Sequence, residues 1–430
     1  MARVAGVDVV VVDHHKCASA LPHALALVNP NRLDETEGAA HGHLAAVGVA
    51  FLLGAALIRT LRTRGFFADR PEPKLLDLLD LVALGTVADV AALKGLNRAF
   101  VAQGLKVMAK RGNIGIDALL TASRLTRAPT STDLGFALGP RINAGGRVGK
   151  SDLGVRLLTT RDPGEAERIA TELDRLNEER RAIEGIVQEA AEMLAAHKSN
   201  RAVIVVAGHG WHPGGIGIVA GRLKEKFGRP ALVIALDDAG IGKGSGRSIP
   251  GVDLGAAVLA AKEADLLVAG GGHAMAAGLT IAEDRIEAFG DFLSERLDAA
   301  VTRAMGDHAL LLDAVLSARG VTPDLVTTME AGGPYGMGWP QPRVVAGPVR
   351  ILKAAVVGNG HVRAIVSGDC PGGGGTLKAV AFRQAETALG QALLGAAPHR
   401  RLWLAGRARI DDWGTRPAAE LHIDDAAWAD

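Results

Sequence analysis

Aromatic residues are scarce, 3% of 430 positions, which leaves little side-chain surface for stacking on planar ligands. Cysteine is rarer still. Cys17 and Cys370 cannot make a disulfide framework, which fits a reducing cytosol and a cytoplasmic protein. Net charge is only +1, so any basic surface must be local. No run of 18 or more apolar residues is free of charge, and Asp8 and Asp13 break the apolar run at the amino terminus. Neither a membrane span nor a signal peptide is therefore expected, and no membrane partner. The composition that remains is globular: 48% hydrophobic and 22% charged residues exclude wholesale disorder. At ~150 residues per domain the length suggests two to four domains. Glycine is in excess, 55 residues, against a usual share of ~7%. No Gly-X-Y period accompanies it, so loops with close backbone approach are the expected use.

The first element is Val7 to Val12, ending in Asp13-His14-His15. Four consecutive valines predict a strand covered on both faces, as in parallel sheets. Helices are expected after it, near 44–64, 74–93, 94–111, 115–125, 131–139 and 151–159. The strand thus has no evident neighbour, and upstream strands are expected to be missing from this chain. Residues 162–198 predict one long helix, with Asp162 as N-cap, Pro163 at the first position and Glu165 closing a capping box. Ile169, Leu173, Leu176, Ile183, Val187 and Leu194 form a heptad seam that Arg180 interrupts. It is either an ordinary packed helix or a connector of ~50 Å between lobes; its Glu- and Arg-rich outer faces favour the connector.

From residue 201 strands and helices alternate, with glycine-rich turns expected at 240–246 and 270–272 and the lobe ending near 305. A connector at 306–334 leads to about five short strands near 343–356, 361–367, 376–383, 402–410 and 418–423. They suggest a small barrel of the OB type. Gly372–Gly375 reads as a hairpin tip.

Asp13, His14 and His15 follow a strand, where ligands of open α/β sheets gather. Imidazole and carboxylate together suit a divalent transition metal such as Mn²⁺ or Zn²⁺, although a His-His pair alone is weak evidence. Asp89 lies in an apolar run, Leu81 to Val90. A carboxylate buried there needs a cation or dense hydrogen bonding; the alternative is a helix-capping Asp beside Thr86. Arg141, Asn143 and Arg147 flank the Gly145-Gly146 pair and suit phosphate capture, or else form a solvated loop. In the second lobe, His212, the Gly244-Ser245-Gly246-Arg247-Ser248 stretch and His273 after three glycines offer backbone N–H groups, hydroxyls and cations for an anion. It is not a P-loop. His273 is read as opening a helix. Between Arg343 and Ile410 ten Arg and Lys stand against Asp369 and Glu386. That is a single-strand binding face or simply a solvated basic one, with Phe382, Trp403 and Trp413 as its few aromatics.

In this order the motifs resemble the RecJ family of single-strand-specific 5′→3′ exonucleases, in the DHH phosphoesterase superfamily. The resemblance runs through Asp13-His14-His15, Gly85 to Asp89, Arg141 to Arg147, Gly210 to Gly214, Gly244 to Ser248, Gly271-Gly272-His273 and the Leu421-His422-Ile423 strand. It implies an α/β fold made of the carboxyl part of a DHH domain (1–160), a connector helix (161–198), a second α/β domain of DHHA1 type (199–305) and an OB-like barrel (335–430). It implies a metal-dependent exonuclease acting on single-stranded DNA in repair and recombination. His14 and Asp89 would be ligands of a Mn²⁺ or Mg²⁺ pair, His15 would meet the scissile phosphate, and Asp13 would orient the histidines. Arg141, Asn143, Arg147, His212, Ser245, Arg247, Ser248 and His273 would hold the strand. A single-strand-binding protein and a helicase would be partners.

The family's first two motifs, one of them a metal-binding Asp-x-Asp segment, have no counterpart here. The chain is therefore expected to be N-terminally truncated and inactive alone. Two other readings stand: a catalytically impaired single-strand binder, and an oligonucleotide or cyclic-dinucleotide phosphodiesterase of the same superfamily. The barrel argues against the second, and against a manganese pyrophosphatase.

Overall fold

The structure, a computed structural model, describes residues 6–17, 20–306, 309–368, 375–397, 399–411 and 417–429. Cys370, Gly372–Gly374 of the expected hairpin tip, and Trp413 lie outside the described residues.

The valine run gives a short strand, β1 (Val10–Val12), paired in parallel with β2 (Ala26–Val28). Val10 stays 51% exposed, so this strand is not covered on both faces. The expected two-sided burial is not met among the described residues. Helices follow: α1 (Ala46–Thr63), α2 (Leu79–Ala88), α3 (Gly95–Met108), α4 (Ile114–Ala122) and α5 (Ser131–Asp133), which leads into one π turn at Leu134–Leu138. Gly104 lets α3 lie hard against α2, since a Cβ there would sit 2.1 Å from the Leu79 carbonyl oxygen. By length and composition α1 could cross a membrane; here it packs on α2, with Phe51 edge-on to Phe100 at 5.2 Å.

The stretch expected as a Gly-Gly turn is helical, α6 (Gly139–Val148), followed by α7 (Leu153–Thr159). Its Gly145 faces Leu173 of the long helix that follows α7, where a Cβ would stand 3.1 Å from a Leu173 methyl. Close helix approach, not a turn, is what that glycine serves. The long helix α8 (Pro163–Ala196) starts on Asp162, which accepts from the Gly164 amide at 2.8 Å. The expected capping box does not form, because Glu165 accepts instead from Thr160 (2.6 Å) and Arg156 (2.7 Å). The first half of α8 packs on α4 and α7. Midway, Arg180 and Glu184 form a buried ion pair that Asn177 joins at 2.9 Å.

The second sheet has the order β3-β4-β5-β7-β6, from Ile204–His209, Ala231–Leu236, Ile241–Arg247, Ala269–His273 (β6) and Ala276–Ala282 (β7). Only β3 and β4 are parallel. Val206, Val233 and Ile204 pack toward α8 and α9 (Ile216–Phe227). Val205, Leu232 and Ile234 pack toward α10 (Leu254–Glu263) and α11 (Ile286–Gly306). The two glycine-rich turns of the sequence reading are the strands β5 and β6. On β5, Gly242, Gly244 and Gly246 point into the core while Lys243, Ser245 and Arg247 take the other face. Alternation with period two is a strand signature, but glycine has no side chain to display it. Likewise His273 ends a strand rather than opening a helix.

The last part contains β8 (Ala314–Leu316) and α12 (Pro323–Ala331), both in the stretch expected as connector, then β9 (Val344–Val357), β10 (His361–Gly368), β11 (Thr376–Ala381), α13 (Ala388–Leu394), β12 (Leu402–Asp411) and β13 (Ala418–Trp428). Strand β9 pairs with both β10 and β12, and β11 with β13 in parallel, so five strands close a barrel around Val349, Ala364, Val366, Leu404 and Leu421. The described residues of Met1–Gly112, Arg127–Gly139 and Leu310–Asp430 make one compact unit, and those of Asn113–Thr126 and Pro140–Ala309 another.

Candidate metal and phosphate sites

In the first unit, Asp13, His14 and His15 leave the carboxyl end of β1 with their ligand atoms all within 4.8 Å of one another. The loop is shaped by Asp13, whose Oδ1 accepts from the His14 amide at 2.7 Å and the His15 amide at 3.3 Å, and pairs with His15 Nδ1 at 2.7 Å. Burial raises the Asp13 pKa, but these hydrogen bonds outweigh it and hold the carboxyl below its ordinary value. The two imidazole rings stand 4.5 Å apart. Asp89 reaches in from the C-cap of α2, its Oδ2 3.4 Å from His14 Nε2.

Asp89 arrives there for a different reason than its apolar neighbours suggested. Its side chain is 42% exposed; the buried carboxylate of that region is Asp80, 3% exposed, with its pKa raised by desolvation. Sequence reasoning also passed over Asn29 and Asn31. Asn29 donates to the His15 carbonyl at 2.8 Å; Asn31 donates to the His14 carbonyl at 2.7 Å and to that of Gly42 at 2.8 Å. They fix the backbone of the histidine loop. The only sequence signal was an Asn-Pro-Asn run after a short apolar segment. The donor set of two imidazoles and two carboxylates fits Mn²⁺, which accepts mixed nitrogen and oxygen ligands.

In the second unit, Ser245 and Arg247 lie under the first turn of α9. A Cβ on Gly217 would stand 3.0 Å from both Ser245 Oγ and Arg247 Nη2. Arg247 donates to Ser245 Oγ at 3.1 Å and to the Gly246 carbonyl at 2.8 Å. Its pKa is lowered by burial and further by Arg147. Two cations thus stand in one corner beside the start of a 12-residue helix, whose first N–H groups lack intrahelical partners, an arrangement whose chemistry suits an anion. The sheet adds His273 to it. Arg247 is in register with Ala276, and Ala276 with His273, so the two side chains share a row and a face.

The remaining sequence candidates divide. Arg147 donates to the Gly214 carbonyl at 3.4 Å, and His212 Nδ1 accepts from the Gly214 amide at 3.1 Å, both at the same corner. Asn143 is exposed on α6. Arg141 is held by Asp174 of α8 at 2.8 Å. Ser248 is turned away: it is 1% exposed and its hydroxyl donates to the Val252 carbonyl at 2.7 Å. On the barrel, part of the basic face is neutralised, Arg343 and Arg407 by Asp424 and Lys378 by Asp411. Phe382, 49% exposed, lies against His361 and His422 with centroids 5.2 and 4.8 Å away.

Residues 199–299 match the DHHA1 domain and residues 312–425 the RecJ OB domain. An Asp-His-His loop at a strand end, followed by a DHHA1 domain and a RecJ OB domain, places the chain in the DHH class. The chain is 41% identical over 392 residues to the single-stranded-DNA-specific exonuclease RecJ of Dickeya dadantii, covering 88% of this chain and 66% of that protein. To the RecJ of Salmonella typhimurium it is 40% identical over 396 residues, 89% of this chain and 67% of the other. A crystal structure of RecJ in complex with Mn²⁺ from Thermus thermophilus aligns with a TM-score of 0.77 at 30% identity, over 98% of this chain and 58% of that one. The chain belongs to the RecJ family. It spans about two thirds of the length of these curated relatives.

Proposed function

We propose that this chain serves a metal-dependent 5′→3′ exonuclease that hydrolyses phosphodiester bonds of single-stranded DNA in repair and recombination. The observation that carries the reading is the Asp13-His14-His15 group with its ligand atoms within 4.8 Å, and Asp89 3.4 Å from His14. His14 and Asp89 would hold Mn²⁺ or Mg²⁺. When bound, the metal supplies Lewis-acid stabilisation of the phosphate and an acidified water. Asp13 accepts from His15 Nδ1 at 2.7 Å and so orients the ring, which would meet the scissile phosphate. Ser245, Arg247, His273, Arg147, His212 and Asn143 would grip successive phosphates through charge-assisted hydrogen bonds, with Arg141 and Ser248 supporting the elements that carry them.

In this division of labour residues 1–160 bear the chemistry, 161–198 span to the strand-binding domain at 199–305, and 335–430 hold single-stranded DNA on a barrel. A helicase and a single-strand-binding protein would supply and protect such a substrate, in the cytoplasm. A second reading, strand binding without hydrolysis, is favoured by the ligand set: among the described residues the cluster has two carboxylates, and Asp13 is engaged by His15. One experiment separates the two. The 430-residue chain is incubated with 5′-phosphorylated single-stranded DNA and Mn²⁺ in single turnover, beside an anisotropy measurement of binding. Shortening from the 5′ end that is lost in D89A supports the exonuclease; tight binding without shortening supports the second reading; neither activity nor binding defeats both.

A further inference from the structure

A cleft of 690 Å³ lies inside the first compact unit, where α3 and the segment 129–136 face the segment 330–341 and β12. Its size is that of a small-molecule site. Pro129, Phe136 and Leu105 form one apolar wall, and Pro334 and Tyr335 another. Phe136 is 77% exposed, an unusual position for a phenylalanine with no partner ring among the described residues. Lys106, Arg407 and Arg409 bring three cations to the cleft against one carboxylate, Glu330. Arg407 and Arg409 are two residues apart on β12 and so share a face. Arg407 is paired with Asp424 at 3.3 Å. Arg409 is half-buried, and among the described residues no hydrogen bond or ion pair engages its guanidinium. Burial pushes its pKa down, and Glu330 only partly offsets this. A guanidinium held this way is short of an anion. Gln341, on the same wall, donates to the Ala408 carbonyl at 3.4 Å and keeps its own carbonyl oxygen buried without a donor.

The walls are held in place rather than left to close on a ligand. Ser131 donates to the Tyr335 carbonyl at 2.6 Å and the Leu93 amide to that of Met337 at 2.7 Å. Arg98 donates to the Gly333 carbonyl at 3.2 Å and lies over the Trp339 ring at 4.8 Å.

We propose that this cleft seats one nucleotide, its phosphate on Arg409, Arg407 and Lys106 and its base between Phe136 and Tyr335. The proposal rests on the single-strand reading and extends it to a second place on the chain. Apolar walls alone would suit many ligands, and cations alone any anion; an anion joined to a flat apolar body needs both. The nucleotide is either a unit of the bound strand or a free mononucleotide.

The test uses the full chain with two probes, fluorescein-labelled dT20 followed by anisotropy and dAMP followed by calorimetry. The R409A variant is expected to bind dT20 about tenfold more weakly, the loss of one charge-assisted contact. The F136S variant, altered at an exposed position, is expected to lose several-fold, and R409K to retain most of the affinity. Loss of dAMP binding as well identifies a free-nucleotide site; loss confined to dT20 identifies a unit of the strand. Should R409A fail to fold, F136S and R409K carry the comparison. Wild-type affinity of F136S and R409A for both probes, with R247A impaired on dT20, would overturn the cleft and leave the single-strand reading standing. Binding of an acidic peptide that R409A abolishes, with dT20 and dAMP unaffected, would overturn it in favour of a protein partner. A wild-type chain that binds neither probe defeats both readings.

Discussion

Gly244 on β5 offers a direct test of the alternating strand that presents Ser245 and Arg247. A Cβ at Gly244 would lie 2.7 Å from Leu279 Cδ1 and 2.8 Å from its Cγ, with Ile234 Cγ1 at 3.2 Å. Leu279 and Ile234 are 6% and 0% exposed. Because Cγ is the branch point of leucine, relief requires the whole side chain to change rotamer inside a closed core. Overpacking of this kind costs ~1–3 kcal/mol, from which the gain of Ala over Gly within a strand, ~0.5–1 kcal/mol, is subtracted. G244A should therefore destabilise the sheet by roughly 1–2 kcal/mol. Gly278 on β7 is the control, for its nearest neighbour is a backbone oxygen 4.0 Å away. G278A should be neutral or stabilising by up to ~1 kcal/mol. Two compact units make a single unfolding free energy ill-defined, so the suitable assay is hydrogen exchange of the β4, β5 and β7 amides. Exchange in G244A should quicken by roughly 5- to 30-fold over the wild type. Equal protection in G244A and G278A would refute the strand packing and return the segment to an exposed turn.

Other outcomes separate grip from scaffold. R247A should lower single-strand affinity by ~1–3 kcal/mol with little change in melting, whereas R141A, which frees Asp174 on α8, should lower the melting temperature first; the reverse pattern would exchange their roles. Replacing Arg180 alone by Met strands the 1%-exposed Glu184 carboxylate and should cost ~3–5 kcal/mol, while R180M together with E184L should recover most of it; additive losses of hydrogen-exchange protection in the α8 amides would contradict this. Burial raises the Asp133 pKa, but Arg127 and Thr130 more than reverse the effect, so the net shift is downward. Its stabilisation is thus complete above the ordinary carboxylate value of ~3.9 and is lost as pH falls through the lower folded value. The acid-unfolding limb should flatten in D133N, and superimposable acid curves for D133N and wild type would argue against it.

Where side chains mark their own environment, the sequence was readable. Pro163 behind Asp162 announced α8, and the short strand expected near 361–367 is β10. Glycine removed the marking. β5 and β6 read as turns, and Gly145 as a loop residue, because a missing side chain cannot show which way it faces. The three-residue β2 carried no period at all. The site followed the same logic. Asp13, His14 and His15 stood out by following a valine run. Asn29 and Asn31 act on carbonyls 14 and 17 residues back in the chain, a relation that only the fold creates. Asp89 was singled out on an argument from burial that belongs to Asp80, and the fold sets its carboxylate 3.4 Å from His14.

The chain's passage between its two compact units sets an order in time. Residues 113–126 and 140–309 complete one unit, while the other needs residues 310–430 to meet helices made from the first 112. The bonds that join those parts span long stretches of sequence, 204 residues from Ser131 to Tyr335 and 235 from Arg98 to Gly333. At ~5–20 residues per second on the ribosome, α1 to α3 emerge many seconds before their barrel partner exists. The sheet of β3 to β7 can form meanwhile, because all its strands lie within that interval. During the wait the parts of α3 and of residues 129–136 that later meet residues 330–341 stand uncovered, a window in which self-association competes with folding. Slower synthesis through residues 310–340 should lengthen that window, and a chaperone that binds apolar helices would matter most there.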